Sequence, residues 1–217
     1  MLFKCLSLTI SQNFLSSQDL NPIRVTTSGN ASLFHGVPDW VYEEEVFGSD
    51  HTLWWSPDTS KIAFLALDET AVPEFTFPIY NPTNDNDAIN PYTDDVVMKY
   101  PKPGYPNPLA SVHVFDLSEY LAQGLTSAAE STVTLEWDGR HPSNDSIIQE
   151  VAWIGNTTLI LKEVNRNADD GSVVLFELNT SNLLRNRGKV VRKIGKRGEQ
   201  GDDGWIDHVG ITFSCYK

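Results

Sequence analysis

Apolar and polar residues alternate with a period of two along much of this chain, in short runs bounded by turn-forming residues. Pro22-Ile23-Arg24-Val25-Thr26 alternates and stops at Ser28-Gly29-Asn30, which predicts a strand closed by a turn. Thr52-Leu53-Trp54-Trp55 and Lys61-Ile62-Ala63-Phe64-Leu65-Ala66-Leu67 flank Ser56-Pro57-Asp58-Thr59-Ser60, a hairpin whose proline sets φ at the turn entry. Phe75 to Pro108 is rich in Pro, Asn and Asp and predicts exposed, extended backbone, with Val96 to Tyr100 as a short strand inside it. Ser111 to Leu117 alternates cleanly and is followed by a short helix over Ser118 to Gln123 and a strand over Thr132 to Trp137. Ile147 to Trp153 and Thr157 to Val164, joined at Gly155-Asn156, repeat the order strand, Trp, turn, strand seen at residues 52 to 67. A last hairpin pairs Ser172 to Leu178 with Lys189 to Ile194 across a polar connection from Asn179 to Gly188.

Trp55 and Trp153 stand 98 positions apart. At roughly 40 to 50 residues for a four-stranded blade, that is the register of two blades of a β-propeller, with the Trp of each turn packing between blades. The chain is therefore expected to be all-β, a partial β-propeller holding about three to four blades of antiparallel strands. An arc of that kind has two open flanks with unpaired strand edges, so the isolated chain is expected to be marginally stable or to aggregate.

One stretch breaks the pattern. Asp39-Trp40-Val41-Tyr42-Glu43-Glu44-Glu45-Val46-Phe47 sets three consecutive carboxylates among aromatic and β-branched residues. Like charges repel and apolar flanks withdraw them from water, a cost that a bound cation would offset. A solvated acidic turn is the plain alternative. Trp40, Tyr42 and Phe47 are read as packing residues that hold the stretch on its blade.

Residues 34 to 57, Phe-His-Gly-Val-Pro-Asp-Trp-Val-Tyr-Glu-Glu-Glu-Val-Phe-Gly-Ser-Asp-His-Thr-Leu-Trp-Trp-Ser-Pro, closely resemble the double-glutamate segment of the dipeptidyl peptidase IV family. The resemblance, nearest to the fungal dipeptidyl aminopeptidases, runs more loosely from Asn21 to Trp205 and includes Tyr100-Pro101-Lys102-Pro103-Gly104 and Asn107-Pro108. It implies a domain over residues 21–206 forming part of the family's N-terminal propeller, with unmatched segments at 1–20 and 207–217. It also implies a short helical insertion carrying the acids, of which Glu44 and Glu45 bind the free amino terminus of a peptide substrate. In a flat strand neighbouring side chains face opposite ways, so the two carboxylates converge only on a helical or irregular turn. Glu43 then faces elsewhere, on the surface or in a local ion pair. The implied activity of the family is release of Xaa-Pro or Xaa-Ala dipeptides by a serine nucleophile on a separate hydrolase domain, the expected partner of this propeller, and a homodimer is implied as well. A propeller Arg upstream of the acidic segment also serves the family's site, and no corresponding region is found here.

The sequence carries no Gly-x-Ser-x-Gly, no phosphate loop and no metal-ligand spacing, so no catalytic residue, metal or cofactor is assigned and the chain is expected to be inactive alone. A non-catalytic, propeller-type peptide-binding or interaction module is the alternative reading. His35, His51, His113, His141 and His208 have no regularly spaced partners and are read as structural or surface residues. A net charge of −13 argues against nucleic acid as a partner. The basic run from Arg185 to Arg197 is read as a solvated strand and turn. Cys5 and Cys215 decide nothing about compartment.

Asn30, Asn144, Asn156 and Asn179 open Asn-x-Ser/Thr sequons and are candidate glycosylation sites. No run approaches the ~20 apolar residues of a membrane span, and Lys4 interrupts the faintly signal-like opening. Family resemblance implies a secretory-pathway setting, either the lumenal side of the vacuolar membrane or secreted. Since 38 residues precede Asp39, the family's upstream front end is expected to be missing.

Overall fold

A computed structural model describes residues 9–10, 23–178, 186–198 and 204–207. Its strands gather into two five-stranded sheets and two two-stranded ribbons. The strands counted from the sequence as three to four blades' worth thus form two blade-sized sheets plus ribbons, in an all-β architecture with a helical insertion. One ribbon pairs β1 (Thr9–Ile10) with β2 (Ile23–Arg24).

The first sheet is built on β5 (Lys61–Asp68), whose first seven residues are all buried. A continuously buried strand is covered on both faces, and its alternation sorts residues between two cores. Ala63, Leu65 and Leu67 face the main core, whereas Ile62 and Phe64 face a smaller one with Val25, Phe115 and Ala128. On one side β5 pairs along its length with β8 (Leu109–Asp116), which in turn pairs with β9 (Thr132–Thr134). On its other side lie both β3 (Leu33–His35) and β4 (Leu53–Trp55), in successive registers: His35 opposes Ala66, and Leu53 opposes Phe64. They act as one edge strand interrupted by residues 36–52.

The second sheet runs in the order β11 (Ser146–Trp153), β12 (Thr158–Asn165), β13 (Asp170–Glu177), β14 (Arg187–Gly195) and β10 (Glu136–Trp137). Its inner residues Ile148, Val151, Leu159, Leu161, Val174 and Phe176 meet the first sheet's Leu65, Leu67, Val112 and Val114 in one core.

Thr132 to Trp137, expected as one strand, divides at the fully buried Leu135. The Leu135 N–H still donates to Val112 O of the first sheet at 2.8 Å, while the Glu136 N–H donates to Asn186 O beside the second at 2.9 Å. The segment passes from one sheet to the other, as hydrophobic periodicity alone does not reveal. The short helix is present as α1 (Leu117–Gln123), capped by Asp116, which accepts the Glu119 N–H at 2.9 Å. Asp116 also pairs with buried Lys61 at 2.8 Å.

Buried charge also ties the second sheet together. Glu163, with no solvent exposure, accepts hydrogen bonds from Trp137 Nε1 (2.9 Å), the His141 N–H (3.0 Å) and Ser146 Oγ (2.7 Å). Arg140 stacks on Trp137 at 4.7 Å and donates to Ala110 O of β8 at 2.6 Å, a polar link between the sheets.

The second ribbon, β6 (Glu74–Ile79) with β7 (Asp94–Lys99), extends away from both sheets. The sequence showed β7 but not β6, because Pro78 argues against a strand in a wider sheet. In a two-stranded ribbon both strands have an open edge, and proline is tolerated where its missing N–H faces that edge.

Candidate functional site

The acidic stretch leaves and re-enters the first sheet at a single rung. The Gly36 N–H donates to Leu65 O (2.8 Å), the Leu65 N–H to Thr52 O (3.0 Å) and the Thr52 N–H to Gly36 O (3.0 Å). Leu65 thus joins both ends, and residues 37–51 form a closed excursion from the sheet edge.

Buried Asp39 starts the helical segment. Its carboxylate accepts the Val41 and Tyr42 N–H groups, each at 3.1 Å, and its carbonyl accepts the Glu43 N–H at 2.9 Å. Asp is a strong former of such caps because its oxygens reach backbone donors left unpaired at a helix start. Tyr42–Phe47 is then a π-helical turn, ended by Gly48 at φ +58°. π-Helical turns are rare and recur at functional sites, and their wider turn brings consecutive side chains closer in angle than an α-helix does. The expected helical insertion is present in this form.

The apolar residues of the turn point inward. Tyr42 is 1% exposed, and its hydroxyl accepts the Ile148 N–H at 3.2 Å. Burial holds its phenol well above the usual tyrosine range, so it stays protonated. Phe47 stacks on Tyr42 at 5.8 Å and meets Trp54 at 5.5 Å, and Trp153 Nε1 donates to Trp54 O at 2.9 Å. The two Trp-bearing hairpins recognised in the sequence therefore meet beside the insertion, but through Trp54: Trp55, expected to pack between blades, is 40% exposed, because its neighbour on the other face of β4 is the one turned toward the core. Trp40 lies 4.5 Å from Tyr100, at the base of the β6–β7 ribbon. Tyr42 and Phe47 pack on the sheets as expected, whereas Trp40 packs toward the ribbon.

The acids divide differently. Glu43 is half-buried, while Glu44 and Glu45 are exposed, with no partner among the described residues. Because the aromatic residues turn into the core, Glu44 and Glu45 remain in water, and the burial cost expected from their apolar neighbours does not arise. Their position in the first turn of the helix favours the carboxylates, and what remains for a cation to relieve is their mutual repulsion. Two adjacent carboxylates in solvent, on a rigid turn, can receive a compact cation with several N–H donors.

Among the described residues no group of three His, Cys, Asp or Glu could hold a metal ion. His35 and His113 lie on either side of Phe64, at 6.2 and 5.3 Å. Burial pushes His113 down to about 4, with His35 adding to the effect, and burial also lowers His35. Of the basic run, Arg187, Lys196 and Arg197 pair with Asp138, Asp169 and Asp170, on or beside β13 and β14, and Arg185 lies outside the described residues. Asn30, Asn144 and Asn156 are exposed. Asn179, His208, Cys5 and Cys215 lie outside the described residues.

Sequence reasoning passed over Asp39, whose position three before Tyr42 is a readable cap signal. It also passed over Ile148, whose contribution is a backbone N–H and carries no side-chain signal.

The chain is similar to known proteins over most of its length. Residues 12–214 match the family described as the dipeptidyl peptidase IV N-terminal region. A dipeptidyl aminopeptidase named in Schizosaccharomyces pombe is 39% identical over 158 residues, covering 71% of this chain and 18% of its own length. A dipeptidyl-aminopeptidase B named in Tuber melanosporum is 35% identical over 197 residues, covering 89% of this chain and 20% of its own. Among solved structures, the dipeptidyl peptidase 4 of Porphyromonas gingivalis superposes with a TM-score of 0.63 at 25% identity, over 82% of this chain and 22% of that one. The chain spans about a fifth of the length of the curated relatives it matches.

Proposed function

The chain belongs to the dipeptidyl peptidase IV family, and from that premise we propose that it is the substrate-recognition part of a serine-type dipeptidyl peptidase, with Glu44 and Glu45 receiving the amino terminus of a peptide. The observation that carries this reading is the pair of exposed carboxylates, without a partner among the described residues, on a turn tied at both ends to Leu65. A peptide α-amino group has a pKa of about 7.7–8.0 and is mostly protonated at neutral pH. Two carboxylates take two of its three N–H donors as charge-assisted hydrogen bonds. An amine held there acts as a ruler: the bond two residues inward is the one presented to a nucleophile, which accounts for removal of dipeptides of the Xaa-Pro or Xaa-Ala kind.

The nucleophile would come from a hydrolase domain, since this sequence contains no Gly-x-Ser-x-Gly. Passage through the secretory pathway, with glycans on the exposed Asn30, Asn144 and Asn156, fits the same reading.

The test is binding of a Gly-Pro peptide to the 217-residue chain, alongside its N-acetylated form and a Glu44→Ala/Glu45→Ala variant, with a Gly-Pro chromogenic substrate in parallel. The reading expects the free amine to bind at least tenfold more tightly than the acetylated peptide, with the preference lost in the double variant and no turnover by any form. Equal binding of both peptides would overturn the amine site. Turnover abolished by the double substitution would mean that this chain holds a nucleophile of its own, and the division of labour would be wrong.

A further inference from the structure

Glu44 and Glu45 are carried by the first sheet, but the residues on either side of them are fastened to the second. Tyr42 precedes the acids and Phe47 closes their turn. Tyr42 accepts the Ile148 N–H, and Phe47 packs on Trp54, whose carbonyl accepts Trp153 Nε1. Ile148 and Trp153 both lie on β11, the edge strand of the second sheet. Among the described residues no strand follows β11 in that sheet, and the β11–β12 register shifts between Ile148 and Glu150. An outward N–H at such a place, buried in a core, needs an acceptor. The Tyr42 hydroxyl supplies one, doing for that rung what a neighbouring strand would do.

We propose that Tyr42 is the positioning residue of the amine site: its hydroxyl, bonded to the Ile148 N–H, locks the turn bearing Glu44 and Glu45 onto the edge of the second sheet. This rests on the amine-binding reading above. Amine affinity is then set at the junction of the two sheets, by a bond between residues 106 positions apart that touch no ligand. Losing the hydroxyl leaves a buried N–H unpaired at this rung, and the turn gains freedom where the two carboxylates must act together.

The experiment uses the full 217-residue chain and the tripeptide Gly-Pro-Ala, free and N-acetylated, with calorimetry reporting Kd and stoichiometry separately. Tyr42→Phe retains the ring stacked on Phe47 and removes only the acceptor. It is expected to raise Kd for the free peptide about tenfold at unchanged stoichiometry. Val151→Ala loosens the same strand and leaves both hydroxyl and amide in place, so its melting temperature falls while its Kd stays that of the unmodified chain. An unaltered Kd in Tyr42→Phe, or an equal rise in Val151→Ala, overturns the proposal.

If the unmodified chain binds both peptides alike, the amine site itself is wrong, and the lock is judged without ligand. The amide resonances of Glu44 and Glu45 should then shift in Tyr42→Phe and stay in place in Val151→Ala. Resonances unmoved in Tyr42→Phe would overturn the lock independently.

Discussion

Two excursions leave the sheets of this protein, and they are built on opposite principles. Residues 36–52 depart and return at one rung of β5, cap themselves with Asp39 and send Tyr42 and Phe47 into the main core. The β6–β7 ribbon is longer and contributes almost nothing to that core: every residue of β6 is exposed, as are Tyr80, Ile89 and Tyr92 beyond it. Its hold on the body is at its base, where the Tyr100 N–H donates to Pro73 O and the Tyr100 ring meets Trp40 and Phe75. A turn that must hold two like charges in a fixed relation needs anchoring from several directions. A ribbon that satisfies its own hydrogen bonds needs none.

The largest effect expected from this contrast is at Tyr42. Tyr42→Ala removes a fully buried ring, its stacking on Phe47 and the acceptor of the Ile148 N–H, and should destabilise the chain by about 3–5 kcal/mol. Chemical denaturation of the variant measures this. A loss under about 1 kcal/mol would mean that the insertion rides on the sheet and is not part of its core.

Acid should act next, and on the sheet that carries both excursions rather than on either of them. His113 lies on β8 against Phe64, its ring nitrogens engaged by Ser111 Oγ at 2.8 Å and Thr134 Oγ1 at 3.1 Å, with His35 across Phe64. Its folded pKa of about 4 lies below an unfolded value of about 6.5, so the unfolded chain binds the proton first. Stability is therefore full above about pH 6.5 and falls as the pH drops toward 4, by about 1–2 kcal/mol at pH 5 after allowance for partial exposure. Asp116, held below the usual carboxylate range although burial opposes it, through Lys61, the Glu119 N–H and Ser118, loses its contribution only at still lower pH. Melting curves at pH 7 and 5 should show the loss, and His113→Gln should flatten it. An equal loss in His113→Gln would place the acid sensitivity elsewhere.

These anchors explain how far the sequence could be read. Period-two alternation located strands such as 109–116, 146–153 and 170–177, because a half-buried strand writes its two faces into its residues, whereas 61–67 and 158–164, buried on both faces, were legible as short apolar runs bounded by turn residues. The acids stood out as candidates because three adjacent carboxylates are rare in an alternating chain, and the helical character of their turn followed from the need for Glu44 and Glu45 to converge. Their exposure did not follow from the apolar neighbours, since Tyr42 and Phe47 turn inward and leave the carboxylates in water. The Tyr42 bond to Ile148, the crossing of Leu135 between sheets and the bonds to Glu163 join residues remote in sequence, and local pattern has no means of registering them. Pro78 hid β6 because an isolated ribbon obeys a looser rule than a strand inside a sheet.

A smaller effect is expected where the insertion ends. Gly48 has φ +58°, and a Cβ there would meet nothing within 4 Å, so the cost of a side chain is backbone strain alone. Gly48→Ala should destabilise by about 1–2 kcal/mol, and Gly48→Asn by less, since Asn tolerates the left-handed region. Thermal melts of the pair give the ordering. Equal losses would point to a close contact at Gly48 in place of its conformation.

The smallest effect belongs to the ribbon. Ile89 is 86% exposed and Tyr92 81%, and the local hydrogen bonds of this region run among its own residues, as in the Asn90 N–H donating to Asn81 Oδ1 at 2.7 Å. Replacing Ile89 and Tyr92 by Ser should therefore shift stability by no more than about 0.5 kcal/mol, because surface positions without packing or buried polar partners lie within that range. If the double replacement lowers the melting point as far as Tyr42→Ala does, the ribbon is an anchored part of the fold and the contrast fails. If it leaves stability unchanged and also slows aggregation on heating, the exposed apolar side chains of the ribbon are the adhesive surface, and the insertion, with Tyr42 buried and Trp40 and Phe47 partly buried, is the lesser liability.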